Sequence, residues 1–258
     1  AIGNAIFDIL GHVEEDFLVA ENLAKGSMSL VDADRIHTLY DKIGPVVRIS
    51  GGSAGNTIAG VADLGGKAAF IGKVADDEFG EAYGHDMRSV GVTYGTPPLK
   101  ESVPTASCLV LVTPDGERTM NTFLGASQHL TAADIDAELV QGAGITFLEG
   151  YLFDPPEAKE AFRAAAGIAQ RAGRPVALTL SDTFCVERNR EDFLALFEAN
   201  AVDLLFANEH EMRALYETAD LQSAVNEIQR KVPLVVVTMG AEGAMIVTRE
   251  GVHQTRAQ

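Results

Sequence analysis

The chain of 258 residues has no tryptophan and only two cysteines, Cys108 and Cys185. Two cysteines make neither a disulfide framework nor a cysteine metal cluster, so reduced thiols in a cytoplasmic protein are the expectation. Basic side chains are scarce as well: 20 Lys and Arg face 37 Asp and Glu, for a formal net charge of −17. A surface of that sign argues against a nucleic-acid or anionic-membrane partner. An anionic substrate would need a local positive pocket. No apolar run approaches the length of a membrane span, and no basic-plus-apolar leader opens the sequence. Internal repeats and low-complexity segments are missing too. So are a P-loop lysine motif and a Gly-x-Gly-x-x-Gly turn after the first strand, which disfavours P-loop kinases and Rossmann dehydrogenases.

What is present is enough apolar material, 47% of residues, for one large α/β domain with a small appended lid. A buried first strand is expected over residues 1–10. Helices are expected over 32–43 and over 57–64, the latter with Ile58, Val61 and Ala62 inward and Gly65-Gly66 as its stop. A strand over 68–74 precedes a helix over 78–90 whose inner stripe is Phe79, Tyr83, Met87 and Val90. A hairpin follows, with strands over 107–112 and 117–123 around the turn Pro114-Asp115-Gly116. Further strands over 143–148, 176–180, 202–206 and 234–238 alternate with helical segments, one opened by Pro155-Pro156. The alternation predicts a doubly wound, mostly parallel sheet with helices on both faces.

The chemistry concentrates in Ser50 to Gly91. Gly51-Gly52-Ser53-Ala54-Gly55-Asn56 ends a strand and opens a helix. Glycines allow close backbone approach to a ligand, and a helix start offers N–H groups to a polar group. The Asn56 amide both donates and accepts, which suits a hydroxyl-bearing ligand. Asp8, among Ile6, Phe7, Ile9 and Leu10, is costly unless partnered. It is either a structural carboxylate or a binding group. Arg118 reads as a solvated edge charge or as a phosphate contact. Phe123 packs over a base or fills the apolar side of the hairpin. Asn208-x-x-Glu211 is a capping box or a ligand element. Thr238-x-Gly240-x-x-Gly243 is a hairpin turn, a nucleotide-lining turn, or both.

Taken in order, Gly-Gly-x-x-x-Asn at 51–56, Leu64-Gly65-Gly66, Gly72-Lys73-Val74 and Asp76-Asp77-x-Phe79-Gly80 resemble the first signature of the ribokinase family, the phosphofructokinase-B-type sugar and nucleoside kinases. The resemblance covers nearly the whole chain. It implies a ribokinase-like fold in which residues 1–10, 49–95 and 125–258 form the α/β domain and 11–48 and 96–124 form the β-sheet lid. It implies that Asn4, Asp8, Gly52, Ser53 and Asn56 hold the acceptor, with Phe123 and Tyr151 beside it. Arg118, Asn208, Glu211, Thr238, Gly240 and Gly243 would serve the phosphates and nucleotide. Glu211 would reach Mg²⁺ through water, consistent with the ion's preference for oxygen ligands and retained waters. ATP and Mg²⁺ are the implied cofactors, and pairing of lid strands between subunits would give a homodimer.

The opening Gly-Asn-Ala-x-x-Asp, the Gly-Gly-Ser and the region of Gly150-Tyr151 look nearest to adenosine-kinase-like members. The implied activity is therefore ATP-dependent phosphorylation of the primary hydroxyl of a nucleoside, adenosine first. A ribose- or fructose-type sugar kinase and a non-catalytic nucleoside or sugar sensor are the alternatives. The family's catalytic Asp, in a Gly-Ala-Gly-Asp element, is expected beyond Gln258, together with the amides that stabilise the transferred phosphoryl group. Phosphoryl transfer relies on positioning and charge stabilisation. The expected outcome is that this 258-residue stretch has no useful turnover while a form extended through that element does. Equal phosphotransfer rates for the two forms would refute the assignment.

Overall fold

The computed structural model describes residues 1–100 and 103–257. Glu101 and Ser102, inside the expected lid segment 96–124, and Gln258 lie outside the described residues. The chain divides into two compact units, one of residues 4–130 and one of residues 1–3 with 131 onward.

The unit of residues 4–130 runs Ile6–His12 (β1), Glu15–Ala20 (α1), Met28–Leu30 (β2), Ala33–Tyr40 (α2), Val46–Gly51 (β3), Ser53–Asp63 (α3), Ala68–Phe70 (β4), Glu78–Ser89 (α4), Val92–Tyr94 (β5), Ala106–Val112 (β6) and Arg118–Phe123 (β7). Five strands form a mixed sheet in the order β2-β7-β6-β1-β3, and β4 and β5 form a parallel pair. β1 is parallel to β6 and antiparallel to β3. One face of the sheet packs Ile9, Leu109 and Leu111 against Leu18 of α1 and Ile36 and Leu39 of α2. Each such side chain contributes roughly 1.5–3 kcal/mol when buried.

Several element boundaries differ from expectation, two of them for a clear local reason. The first strand is Ile6–His12, not 1–10, because ladder pairing to β3 and β6 starts at Ile6. Residues 4–10 and 49–95 fall in the same compact unit as 11–48 and 96–124, with β1 lying along its length between β3 and β6. The helix after the paired glycines starts at Ser53 rather than Thr57, since Gly52 at φ 88° already turns the chain out of β3. That phase buries Ala54 and Gly55 and leaves Val61 40% exposed. In α4, Tyr83 and Met87 are buried as expected, whereas Val90 falls at the C-cap and is exposed.

The Asp76-Asp77-x-Phe79-Gly80 turn has a mechanical role. Asp77 caps α4: its Oδ1 accepts the Gly80 N–H at 2.8 Å and the Thr105 hydroxyl at 2.6 Å. Its Oδ2 accepts the Thr105 N–H at 2.8 Å, and the Thr105 hydroxyl oxygen accepts the Ala75 N–H at 2.9 Å. One carboxylate therefore fixes the start of α4 to the segment entering β6. Phe79 stacks on Phe7 of β1 with ring centroids 4.8 Å apart.

The second unit runs Ala137–Gly142 (α5), Thr146–Glu149 (β8), a 3₁₀ turn over Gly150–Phe153, Pro156–Arg171 (α6), Val176–Thr179 (β9), Thr183–Glu198 (α7), Leu204–Asn208 (β10), Glu209–Leu215 (α8), Leu221–Ile228 (α9), Leu234–Thr238 (β11), Ala244–Thr248 (β12) and Gly251–Thr255 (β13). Its six-stranded sheet follows chain order: β8, β9, β10 and β11 are parallel, and β12 and β13 add antiparallel strands. Ile2 bridges Leu148 beside β8. Right-handed crossovers between strands laid down in sequence put their helices on one face. The residues of that face, Leu148, Leu178, Leu205, Val235 and Val247, are completely or almost completely buried. The opposite face carries Phe147, Leu204, Phe206, Val236 and Ile246, which are half-buried or exposed. Phe153, Phe162 and Phe193 stack in the helical layer, with centroids 5.5 and 4.8 Å apart.

Replacing Asp77 by Ala removes a helix cap and the two Thr105 contacts. The expected loss is about 2–4 kcal/mol of unfolding free energy, read from urea denaturation. A loss below ~0.5 kcal/mol, the scale of an ordinary surface substitution, would show that the carboxylate does not hold these segments together.

Candidate functional site

In the unit of residues 4–130, the sheet face away from α1 and α2 carries Asp8. Register partners share a face, so Asp8 lies in a row with Ile49 of β3, Cys108 of β6, Thr122 of β7 and Leu30 of β2. The next row is apolar throughout: Val47, Leu10, Val110, Met120 and Met28. Beyond it, on the same face, stand His12, Val112 and Arg118. The face is thus an apolar strip with a carboxylate on one side and a guanidinium on the other.

Burial pushes the Asp8 carboxyl up to about 6, and the Arg118 charge partly offsets that rise. Burial likewise pushes the Cys108 thiol up to about 12, although its sulfur accepts the Thr122 hydroxyl at 3.3 Å. Cys108 is therefore a neutral, unreactive lining residue at physiological pH.

Asp8 leans over the end of β3. A methyl carbon added at Gly51 would lie 2.0 Å from its Oδ2. Gly52, at φ 88°, follows as the N-cap of α3 and has no side chain with which to cap it. A carbon added at Gly52 would sit 2.6 Å from the backbone oxygen of Asn4, which is itself buried. Ser53 and Asn56 are exposed in the first turn of α3, and the Asn56 N–H donates to the Gly52 carbonyl at 2.8 Å. Asn4, Asp8, Gly52, Ser53 and Asn56 are thereby gathered around one strand end. Arg118 shares the Asp8 face. Phe123 does not: it pairs with Ser107 and packs against the cluster under α1 and α2.

In the second unit the predicted residues collect at the C-terminal ends of parallel strands, where open α/β sheets place ligands. Tyr151 follows β8, Asp182 follows β9, Asn208 and Glu211 follow β10, and Thr238 ends β11. Asn208 and Glu211 form a reciprocal capping box. The Asn208 carbonyl oxygen accepts the Glu211 N–H, and the Glu211 carboxylate accepts the Asn208 N–H at 2.9 Å and its amide at 2.6 Å. Burial raises the Glu211 pKa, partly offset by the Asn208 N–H. Tyr151 is likewise raised, by burial first and then by the Asp182, Glu149 and Glu211 carboxylates. Gly240 and Gly243, at φ 55° and 102°, shape the exposed turn after Thr238, which the Met239 N–H closes onto the Gly243 carbonyl at 2.9 Å.

Sequence reasoning passed over the residues that fix the Tyr151 turn. The Ser181 hydroxyl oxygen accepts the Tyr151 N–H at 3.1 Å, from a residue held at φ 77°. The Cys185 thiol donates to the Gly150 carbonyl at 3.1 Å. Arg188 and Asn189 both donate to Asp154, with Asn189 at a kink in α7. No sequence motif marks these residues. Among the described residues no group of three or more His, Cys, Asp and Glu side chains is arranged to hold a metal ion. No described helix is long and apolar enough to cross a membrane.

The sequence profile of the pfkB family carbohydrate kinases matches residues 24–258. The structure is similar to that of adenosine kinase from Sinorhizobium meliloti, at 48% identity and a TM-score of 0.92, covering all of this chain and 79% of that one. It is similar to the probable sugar kinase protein from Rhizobium etli CFN 42, at 46% identity and a TM-score of 0.92, covering all of this chain and 78% of that one. Fructokinase-1 of Oryza sativa subsp. japonica is 27% identical over 79% of this chain and 65% of its own length. The chain spans between 54 and 65% of the length of these curated fructokinase relatives.

Because burial favours protonated Asp8 in the folded state, the group binds more protons folded than unfolded between pH 3.8 and about 6. It therefore lowers stability increasingly as pH rises through that window and by a constant amount above it. The advantage of Asp8→Asn over the parent protein in unfolding free energy is expected to grow from pH 4 to pH 6 and then level off. Urea titrations across pH measure it, and an advantage independent of pH would contradict the burial of this carboxyl.

Proposed function

The chain belongs to the pfkB family of carbohydrate kinases, and from that membership we propose an ATP-dependent kinase that phosphorylates the primary hydroxyl of a nucleoside, adenosine first. The observation that carries the nucleoside reading is the Asp8 face. One carboxylate beside an otherwise apolar strip of Leu10, Val110, Met120 and Ile49 suits a molecule with hydroxyls at one end and a flat, weakly polar ring at the other. A free sugar presents hydroxyls all round and would leave that strip facing polar groups. The S. meliloti adenosine kinase likeness supports the same reading. The R. etli probable sugar kinase and the fructokinase relatives favour a sugar acceptor as the second reading.

In the proposed reaction, Asp8 accepts hydrogen bonds from the ribose hydroxyls and Asn56 adds a donor and an acceptor. Tyr151, in the second unit, is an aromatic residue that the family resemblance assigns to the acceptor. Arg118 offers a bidentate contact to phosphate. The Thr238–Gly243 turn lines the nucleotide with backbone groups. Magnesium, when bound, neutralises phosphate charge. Each Glu211 oxygen has one lone pair engaged by Asn208 and keeps another for a bridging water, so the residue fits an outer ligand role. The proton acceptor for the hydroxyl belongs to the Gly-Ala-Gly-Asp element that the family resemblance places after residue 258. A cytoplasmic setting and a homodimer joined through lid strands are part of the same proposal.

A coupled assay of adenosine, inosine, ribose and fructose, on a form extended through that element, tests the acceptor. Adenosine is expected to lead in kcat/KM by about tenfold or more, the scale of one differential contact. Ribose or fructose turning over best would replace the nucleoside reading with the sugar one. Acceptor affinity is also expected to fall as pH drops below about 6, where Asp8 takes up a proton.

A further inference from the structure

The two adjacent glycines between β3 and α3 are glycine for different reasons. Gly52 occupies a positive φ and lies against the backbone of Asn4, so a side chain there is opposed by conformation and by an unyielding neighbour. Gly51 is an ordinary strand residue paired with Ile6, and its φ suits any residue. What it lacks is space. The three atoms nearest to an added carbon all belong to Asp8: Oδ2 at 2.0 Å, Cγ at 2.5 Å and Oδ1 at 3.0 Å. None of those three is a backbone atom. A short side chain at position 51 is thus accommodated by rotating one carboxylate, which leaves the strand pairing intact.

We infer that Gly51 is a positioning residue whose missing side chain holds open the place of the Asp8 carboxylate over the end of β3. The inference rests on the reading of Asp8 as the acceptor-binding group and extends it to a residue that touches no ligand itself. With a methyl group at position 51, the carboxylate swings off the strand end. The groups that share its sheet face then see it differently: Arg118 across the apolar strip, His12 one row past that strip, and the Cys108 thiol beside it. Tyr83, whose hydroxyl donates to the Gly51 carbonyl at 3.4 Å from α4, packs on the backbone and is not displaced by the substitution.

The test is a double-mutant cycle of Gly51→Ala and Asp8→Asn, with affinity and fold integrity measured on every protein and the Asp8 titration on the two that keep Asp8. Calorimetry with adenosine gives affinity, thermal unfolding gives fold integrity, and carbon NMR of labelled aspartate gives the Asp8 titration midpoint. Gly51→Ala alone is expected to weaken adenosine binding about tenfold or more, the worth of hydrogen bonds to a charged group, with the unfolding temperature nearly unchanged. In the Asp8→Asn background the same substitution is expected to change affinity less than about twofold, since coupled residues are non-additive. The Asp8 midpoint is expected to move down from about 6 toward the ordinary carboxylate range as the group turns toward water. Equal losses of affinity in both backgrounds, or an unmoved midpoint, would overturn the inference. Failure of the parent protein to bind adenosine would instead count against the acceptor reading, and the NMR midpoint would still decide whether Gly51 places the carboxylate.

Discussion

A carboxylate on an apolar sheet face is expensive to keep, and the arrangement around Asp8 reflects that cost. Isolated ionised groups shift toward neutrality when they leave water, and Asp8 follows this rule, with burial outweighing the Arg118 charge. Its neighbours in register are aliphatic or weakly polar, and among the described residues no cation forms an ion pair with it at contact distance. Gly51 gives it room on one side. Hydrogen bonds donated to its charged form would restore the ordinary preference for ionisation.

The second unit solves a different problem. Its sheet presents the C-terminal ends of four parallel strands, and each end carries polar groups that would otherwise wander. Two of the ends are fixed by caps. Asp182 accepts the Cys185 N–H at 2.6 Å to start α7, and Asn208 and Glu211 cap α8 reciprocally. Ser181, Cys185, Arg188 and Asn189 then hold the Gly150–Asp154 segment. The first turns of α7 thus act on the loop carrying Tyr151 as a single grip. A side chain keeps one position only if its backbone is held.

Much of this was legible in the sequence, and the rest was hidden for identifiable reasons. The alternation of strands and helices, the hairpin around Pro114-Asp115-Gly116 and the burial of Tyr83 and Met87 follow from periodicity and turn chemistry. The extent of β1 did not, because an apolar run marks burial without marking where pairing begins. The first turn of α3, with its buried Ala54 and Gly55, did not show, because the φ of Gly52 that starts the helix there is invisible in sequence. α7 has no clean stripe, with Glu187, Arg188, Asn189 and Arg190 in succession and Asn189 outside helical geometry. Asp8 and Asn56 stood out through their chemistry, whereas Phe123 carried no signal of which face its strand would give it. A one-residue shift of register would have reversed that answer.

The contrast between Gly51 and Gly52 also bears on how variation at this turn would be tolerated. A screen that reads only whether the protein folds would pass small residues at position 51 and reject them at 52. A screen that reads ligand retention would treat the two positions alike. Sequence tolerance measured by folding alone would therefore label as dispensable a glycine whose contribution is an empty volume reserved for a neighbour's side chain.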